Sequence, residues 1–420
     1  MRPFQMDRAR LKRRLFPPAL AAALALAGAI GLRASQPATR PADERAVEAL
    51  HKQAIDELYG QRAASLTAAE KCAWRDRLLA AVNVPPATRR EAVILSDVAR
   101  LASEKETGDD QLALKLWDCL LNSPVATPSM RMTAADHLRL KGISSADSAL
   151  ALRAMDAYLA AAREYENDPD RTQPYSLARD HRAPGFGLER AAALFYDAQR
   201  RAPDDPQRAI LARRAIEHFD ECLAPDSPAA RPGHWFRSPR GLLQYKGCAL
   251  ALAGDYEGVI DVARRMNTMP PVNPRNHAES VGELLNRAAE IFAGTLDERD
   301  TSGVWVRKVR RFLARHEDLV PADDPGYVTF QMRVAYHYLD GPKVEAFKRI
   351  EALLYSPDPR IRNFLADHSE AWANLLFFYG DCLMSLQRPD EARAVFEDLL
   401  RRFPDDQMAP ATRSRLEKGW

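Results

Sequence analysis

Apolar residues recur along this chain with the three-to-four-residue spacing of amphipathic helices, from about residue 46 to residue 418. Stretches that alternate apolar and polar residues with β-branched content are few, so the pattern predicts helices and no strands. Proline, glycine and acidic residues interrupt the pattern and divide it into antiparallel pairs. The predicted pairs are 46–60 with 67–82, 89–106 with 110–122, 128–141 with 145–165, 187–201 with 206–223, 240–253 with 256–268, 277–293 with 302–316, 327–339 with 343–355 and 369–386 with 389–402, followed by a terminal helix over 407–418.

Proline and paired aspartates recur at the predicted turns, in residues 203–206, 323–325 and 404–406. Aspartate caps the first amides of a helix and proline fits its first turn, so these segments predict helix starts. A calcium-binding loop is the alternative for clustered aspartates, but no twelve-residue pattern of oxygen ligands surrounds any of them. The paired aspartates are therefore interpreted as structural.

The segment 373–406 contains the strongest internal pattern. Gly380 is followed by Leu383, Ala392, Phe396 and Pro404, which gives the offsets G-x2-Y, A-x3-F and P with leucine in place of tyrosine. A small residue in each helix lets two antiparallel helices approach closely, and the phenylalanine fills the space beside them. The proline then ends the second helix. These offsets resemble the tetratricopeptide repeat, a helix pair that stacks on further copies of itself.

Three further segments carry weaker forms of this pattern. In residues 240–271, Gly254 is predicted to form a left-handed cap and Asp255 to cap the following helix. The turns at Gly254, Gly341 and Gln387 are 87 and 46 residues apart, which fits a repeat of roughly 43–46 residues. One further unit runs from Phe330 through Gly341 to Pro357 and has Ala346, Ile350 and Leu353 on one helical face; another has its turn at 108–110, followed by Ala113, Trp117 and Leu120.

This resemblance implies an all-α fold in which residues 46–420 form a right-handed superhelical solenoid of antiparallel helix pairs. In many proteins of the family, the first helix of each pair lines a concave groove that binds a protein or peptide. Neither of the two clearest pairs has the basic residues with which chaperone-binding members hold a terminal carboxylate, so that mode of binding is not expected. The tentative partner-binding residues are Asn374, Phe377, Phe378 and Asp381 in the last pair and Gln244 and Tyr245 in the earlier one.

The overall composition agrees with a helical protein and gives no reason to expect nucleic acid as a partner. Of the 420 residues, 46% are apolar and 28% are charged, and alanine, leucine and arginine, all good helix formers, dominate. The 60 basic and 58 acidic residues leave a net charge of +2. Because both signs are interspersed, they are interpreted as a solvated helical surface.

The first 34 residues have the organisation of an export signal. Six basic residues precede an uncharged stretch of 18 residues, Leu15 to Leu32, that is rich in alanine and leucine. Ala27-Gly28-Ala29 offers a small-residue cleavage site, whereas 18 apolar residues also suffice for an uncleaved membrane anchor. Arg13 and Arg14 raise the twin-arginine route as an alternative. The protein is therefore predicted to be exported to the periplasm or cell envelope, with residues 35–45 as a polar linker and contact with the inner membrane only through residues 15–32.

Reactive side chains do not group into a catalytic or metal site. Cys72, Cys119, Cys222, Cys248 and Cys382 are far apart and include no C-x-x-C pair, so they are interpreted as small buried apolar residues. A disulfide between Cys222 and Cys248 is the alternative in an oxidising envelope. The nine histidines include no H-E-x-x-H motif, and neither a nucleophile elbow nor a glycine-rich phosphate loop occurs. The sequence therefore predicts no catalytic residue, no cofactor and no metal ion.

Two long polar connections separate predicted helices, at 166–186 and at 224–239. The second contains His234, Trp235, Phe236 and Arg237, and aromatic residues beside arginine are favoured anchors at interfaces. These four residues are further tentative partner-binding residues. In the alternative interpretation, the two rings only pack the connection onto neighbouring helices.

These patterns together predict a non-catalytic helical-repeat scaffold that binds protein or peptide partners at the cell envelope. Two alternatives stay open. One is a carbohydrate-active enzyme built as an α/α toroid, whose long loops would carry tyrosine, histidine and tryptophan. The other is a purely structural envelope protein. An open array of helices would favour the scaffold, whereas a closed array with carboxylates converging on one cleft would favour the enzyme.

Overall fold

A computed structural model describes most of the chain, namely residues 44–60, 65–104, 108–169, 171, 182–224, 227, 238–269, 279–293, 304–339 and 341–418. Three sequence predictions lie outside these residues: the export segment 1–34, nearly all of the linker 35–45, and the aromatic tetrapeptide 234–237. Most of the polar connection 166–186 is also outside them.

The described residues are helical and contain no β-strand, which confirms the predicted all-α class. The α-helices, numbered in chain order, are α1 (Glu44–Tyr59), α2 (Ala68–Ala80), α3 (Arg89–Ser103), α4 (Asp110–Leu121), α5 (Pro128–Ser145), α6 (Ser148–Glu166), α7 (Arg182–Arg200), α8 (Pro206–Leu223), α9 (Pro239–Leu252), α10 (Tyr256–Asn267), α11 (Val281–Ala293), α12 (Val304–Arg315), α13 (Tyr327–His337), α14 (Lys343–Leu354), α15 (Pro359–Asp367), α16 (Ser369–Ser385), α17 (Pro389–Arg402) and α18 (Ala409–Lys418).

One helix, α15, was not predicted from the sequence. Asp358 caps it by accepting a hydrogen bond from the Arg360 amide, and Pro359 occupies the first turn. Its nine residues bury only Ile361 and Leu365. So short an apolar stripe gives too little periodicity to recognise, although the Asp-Pro start follows the same rule as the start of α8.

The chain divides into two compact units, residues 1–66 and 67–420. In the first unit, α1 is the described helix and buries Ala54 and Leu58. The second unit holds α2 to α18. Across the described residues, none of the helices combines the length and the apolar character needed to cross a membrane.

Within residues 67–420, the helices pack in a regular local order. Each helix from α2 to α13 contacts the next helix along the chain, and α14 contacts α16 across the short α15. A second set of contacts joins α3 to α5, α5 to α7, α7 to α9, α9 to α11 and α11 to α13. These six helices form what we call the first-helix row, because each is the first member of its pair.

Three helix pairs share one type of turn. Ala146 (φ 52°), Gly254 (φ 80°) and Gln387 (φ 60°) each adopt the left-handed conformation after the first helix. The next amide then bonds back to a carbonyl five residues earlier, as in Asp255 N to Leu250 O at 2.9 Å. The predicted caps at Gly254 and Asp255 are confirmed, since Asp255 Oδ1 accepts from the Gly258 amide at 2.9 Å.

Counted from the turn residue of five pairs (Gly108, Ala146, Gly254, Gly341 and Gln387), the fifth residue that follows is buried in each. Nine positions after the turn, a second buried residue of variable size fills the space between the helices. Gly380 is opposite one of these residues, and a Cβ atom built on it would come within 2.5 Å of Phe396 Cε1. The two buried sets are Ala113, Ala151, Val259, Ala346 and Ala392, and Trp117, Met155, Ala263, Ile350 and Phe396.

The pair α5/α6 belongs to this series, although the sequence did not reveal it. The glycine that precedes the turn by seven residues in α9 and α16 is replaced by Arg139 in α5. A close helix contact is instead made four residues before the turn, where a Cβ on Gly142 would lie 2.6 Å from the Ala151 amide nitrogen. The small residue thus lies about one helical turn later in α5 than in α9 and α16, so a search for fixed offsets misses the pair.

Candidate binding site

The tentative binding residues of the last pair lie on α16. Phe377 is buried, with its ring centre 6.0 Å from that of Phe396. Phe378 is partly exposed and packs on Tyr336 of α13 at 5.0 Å between ring centres. Asp381 is partly exposed and ion-paired with Arg415 of α18 at 3.2 Å, and burial raises the pKa of its carboxyl group. Phe377 therefore serves the core, while Phe378 and Asp381 keep part of their surface accessible.

Two polar atoms in this region have no hydrogen-bond partner among the described residues. They are the side-chain oxygen of Asn374, one turn before Phe378, and the hydroxyl of Tyr336. Burial raises the pKa of the Tyr336 hydroxyl. Buried polar groups of this kind normally bond to protein or water.

Gln244 and Tyr245, the candidate binding residues of the earlier pair, contribute more to helix packing than Phe378 and Asp381 do. Gln244 is 2% exposed and donates to the Ser280 carbonyl at 3.4 Å. The ring of Tyr245 stacks on Phe219 at 6.5 Å between ring centres and meets Phe195 edge-on at 5.8 Å. Both residues connect neighbouring helices. A binding role for any of these positions stays a prediction, as it does for His234, Trp235, Phe236 and Arg237.

A buried ion pair joins the N-terminal ends of three helices of the first-helix row. Arg240, at the start of α9, donates to Asp324 Oδ2 at 3.0 Å, and the two side chains are 5% and 0% exposed. Asp324 precedes α13 and also accepts from the Val281 amide of α11 at 2.8 Å and from the Ser280 hydroxyl at 2.5 Å. The carboxylate therefore caps α11 while it holds α9 and α13 beside it.

The guanidinium of Arg240 also has several hydrogen-bond partners besides Asp324. It donates to the carbonyls of Met266, at 2.8 Å, and Met269, at the C-terminal end of α10, and to the carbonyl of Glu279. Positive charge at a helix C-terminus is favourable. Because both members of the pair have several hydrogen-bond partners, we assign this network to the architecture and not to a ligand.

A second buried arginine stands at the position that Gly247 and Gly380 occupy in their own pairs. Arg139 is 2.8 Å from both Asp136 and Glu189, and its side chain is 7% exposed. Glu189 belongs to α7, so this ion pair connects α5 to the next member of the first-helix row. It too is structural.

The polar depression beside this arginine has the residue types of a hydrolytic site without its arrangement. It has a volume of about 280 Å³ and is lined by Ser129, Met132, Thr133, Asp136, His137 and Tyr158. His137 stacks on Trp117 at 4.3 Å between ring centres, and burial lowers the pKa of its imidazole. The Thr133 hydroxyl donates to the Ser129 carbonyl at 3.1 Å, and Asp136 accepts from Arg139. The Thr133 hydroxyl and the Asp136 carboxylate therefore already have hydrogen-bond partners on their own helix.

The second depression combines an aromatic floor with a cationic rim. It has a volume of about 200 Å³ and lies between α10, α11 and α12. The ring of Tyr256 is 5.2 Å from that of Phe292 and 4.9 Å from that of Phe312, and its hydroxyl is 3.0 Å from His316 Nε2. Three exposed cations surround these rings: Lys308, Arg311 and Arg315. We call this feature the aromatic–cationic depression.

The rim of the aromatic–cationic depression belongs to a helix with an unusual charge distribution. The twelve residues of α12 include five basic residues and no acidic one. Val309, Phe312 and Leu313 are at most 5% exposed, so these three apolar side chains are packed inward. Among the described residues, no carboxylate is within ion-pair distance of Lys308 or Arg311. The predicted helix 302–316 covers this segment, but its basic run 307–311 lies between apolar residues at helical spacing and was not recognised as a candidate site.

Other reactive groups add no site of their own. All five cysteines are free thiols, with Cys222, Cys248 and Cys382 buried, which agrees with the interpretation as small apolar residues. In the described part of the chain, no three His, Cys, Asp or Glu side chains are grouped so that they could hold a metal ion.

No protein-family model matches the chain, and no curated protein matches it significantly.

Proposed function

We propose that this protein is a non-catalytic helical-repeat scaffold that binds protein or peptide partners at the cell envelope. In this proposal, the helix pairs of residues 67–420 stack as a right-handed solenoid of the tetratricopeptide type. The observation that supports it best is the first-helix row: successive first helices contact one another, while the successive helices of the series α2 to α14 also contact each other. Helix pairs stacked in this manner expose one continuous surface, on which a partner can bind.

The recurring turn and its buried positions support the same proposal. Five pairs place a small or β-branched residue five positions after the turn, and the pair α16/α17 adds the close contact between Gly380 and Phe396. These are the positions that the resemblance to tetratricopeptide repeats assigns to helix packing. Repetition of one packing solution along the chain favours an array of similar units over a single irregular core.

The enzyme alternative receives less support from the geometry. The extensive helix contacts within residues 67–420 join helices that are adjacent or next but one, as in an open array. The buried carboxylates of Asp324 and Glu189 face arginines at 3.0 and 2.8 Å, so they hold helices together and do not converge on a shared cleft. A purely structural envelope protein stays the second candidate.

Site-specific photo-crosslinking in cells distinguishes a binding scaffold from a structural protein. A photoreactive residue replaces Phe378 or Asp381, at the partly exposed side of α16, and in a control it replaces Arg393, which is exposed on α17. The proposal expects a discrete crosslinked partner from the first two positions and none from the control. Equal or absent crosslinking at all three positions would contradict it.

Export is the other part of the proposal that needs a direct test. Mass spectrometry of the N-terminus of the protein isolated from the envelope fraction distinguishes cleavage near residues 27–34 from an uncleaved anchor. The double substitution Arg13→Lys and Arg14→Lys blocks export only if the twin-arginine route is used. Accumulation of the unaltered protein in the cytoplasm would overturn the proposed location.

A further inference from the structure

We propose that the aromatic–cationic depression binds an acidic segment of a partner protein through one aromatic side chain of that segment. The inference rests on the proposed scaffold function and adds the chemistry of the partner and the place where it docks. It concerns α10, α11 and α12, away from the residues that the sequence selected. Its support comes from the size of the depression, the fixed arrangement of its rings and the unpaired charge around it.

The size of the depression selects a single side chain. Sites for whole small molecules typically measure about 300–1,000 Å³. The aromatic–cationic depression measures about 200 Å³ and is open to solvent on one side, which suits one ring of a protruding residue. Ala289 and Ala293, both 1% exposed, keep its floor free of larger side chains.

The rings are held in place before any partner arrives. The ring centres of Phe292 and Phe312 are 5.8 Å apart, and Tyr256 meets Phe312 edge-on at an interplanar angle of 81°. His316 fixes the tyrosine through its hydroxyl. Aromatic rings favour edge-to-face and offset contacts with further rings. A preformed cluster of this kind binds an aromatic side chain without the entropic cost of ordering its own residues.

The charges around the depression favour an acidic segment. Lys308 and Arg311 have no carboxylate partner among the described residues, and Arg315 lies next to Tyr256. The acidic residues that act on His316, Glu257 and Asp318, are outside the lining, and Glu290 is paired with Arg333 at 2.8 Å. A segment with acidic residues on either side of an aromatic one would satisfy the three cations.

A lipid surface fits these observations less well. A helix that inserts into a membrane interface needs an accessible apolar face. Among the side chains of α12 that the structure describes, the large apolar ones, Val309, Phe312 and Leu313, are buried. The described part of this region offers only the cations and a concave aromatic surface, and a flat layer of headgroups cannot enter a depression. A protruding side chain can.

Fluorescence anisotropy with short labelled peptides tests the proposal on the full chain. The probe is a peptide of Glu and Asp with one central Phe. The comparison peptides replace that Phe with Ala, or all the acids with Gln and Asn. We expect about tenfold weaker binding for each change, since one buried ring or several charge contacts contribute on the order of 1.4 kcal/mol or more. Binding of the first peptide should also weaken as salt is added.

Protein variants locate the binding. Lys308→Glu with Arg311→Glu reverses two exposed charges and should weaken binding at least about tenfold. Lys348→Glu with Arg393→Glu makes the same charge change on exposed positions of α14 and α17 and should leave affinity unchanged. Ala289→Met fills the depression without changing charge and should abolish the preference for Phe over Ala. Thermal unfolding by circular dichroism accompanies each variant.

Three results would overturn the proposal. One is equal affinity for the Phe and Ala peptides, which would leave only nonspecific charge attraction. Another is an equal loss of binding in both charge-reversal variants. The third is binding to phosphatidylglycerol vesicles with no binding to the peptide. The scaffold function would survive each result if crosslinking at Phe378 still identified a partner.

Discussion

Gly380 shows how a single hydrogen atom in place of a side chain determines the contact between two helices. A Cβ at this position would lie 2.5 Å from Phe396 Cε1 and 2.6 Å from Phe396 Cζ, and the phenylalanine is itself fully buried. The ring therefore cannot move aside without disturbing the packing behind it. Gly187 in α7 is different, because the nearest atom to its Cβ would be Cys222 Sγ at 3.4 Å, an ordinary contact distance.

This contrast leads to a paired prediction. Gly380→Leu should lower the free energy of unfolding by about 1–3 kcal/mol, because it overpacks the contact with Phe396. Gly380→Ala should have a smaller effect of the same sign. Gly187→Ala should instead raise stability by up to about 1 kcal/mol through helix propensity. Urea unfolding measures all three, and an unchanged midpoint for Gly380→Leu would contradict the packing described for α16 and α17.

The buried thiols predict a pH dependence of stability. Burial raises the pKa of Cys222, Cys248 and Cys382 to about 11, above the value of 9.0 for an accessible thiol. The unfolded state therefore loses these protons at lower pH than the folded state. The contribution of the three protonated thiols to the free energy of unfolding is complete below about pH 9 and is lost as the pH rises towards 11. Urea midpoints measured across this range should fall less steeply for Cys222→Ala than for the unaltered protein, and parallel curves would contradict the assignment.

At the scale of helices, a buried ion pair joins the N-terminal ends of α9, α11 and α13. Asp324 caps α11, precedes α13 and holds Arg240 of α9, so one carboxylate serves three helices. Gly326 allows this arrangement, because a Cβ there would lie 2.1 Å from the Ser280 hydroxyl. The paired aspartates noted in the sequence as helix-start residues thus include one with a wider role.

We expect Asp324→Ala to lower the free energy of unfolding by about 3–5 kcal/mol, because it leaves Arg240 buried without its counter-charge. Asp324→Asn should cost less, since an amide oxygen can still accept from the Val281 amide. Asp261→Ala, which removes a pair with Arg264 whose side chains are 73% and 64% exposed, should change stability by no more than about 1 kcal/mol. Chemical denaturation measures the three variants, and comparable effects for Asp324 and Asp261 would refute the structural role.

The sequence predicted most helices because their apolar stripes are long and their ends are marked by Gly, Pro or Asp. It missed α15, whose stripe consists of Ile361 and Leu365. It also missed the repeat at α5/α6, where Arg139 replaces the expected glycine and pairs with Asp136 and Glu189. The aromatic–cationic depression combines Tyr256, Phe292 and Phe312 from three helices, and no local pattern brings them together.

At the scale of the whole molecule, the core of residues 67–420 is extended along the chain. One apolar cluster runs from Leu188 to Val334 and a second from Val328 to Leu399. They meet at α13, which contributes Phe330 to the first cluster and Met332 to the second. An array of this kind can lose structure locally, because each unit depends mainly on its neighbours.

Hydrogen exchange followed by mass spectrometry should reveal this locality. Leu375→Ala in α16 and Leu284→Ala in α11 each remove a side chain that is 0% exposed, at a cost of about 2–5 kcal/mol. The first should increase exchange in α14 to α18 and leave α9 to α11 protected. Leu284→Ala should increase exchange in α9 to α11 and leave α14 to α18 protected. Uniform loss of protection in both variants would indicate one cooperative unit and would argue against the repeat array.

The basic helix α12 also has a consequence for the speed and direction of encounters. The first 34 residues hold seven basic residues and one acidic residue, so the remainder of the chain has four more acidic than basic residues. Within this net-negative body, five positive charges are concentrated on twelve residues. An acidic molecule that approaches this helix meets a local concentration of positive charge. Long-range orientation of this kind changes association rates far more than dissociation rates, and it fades as ionic strength shortens the reach of the field.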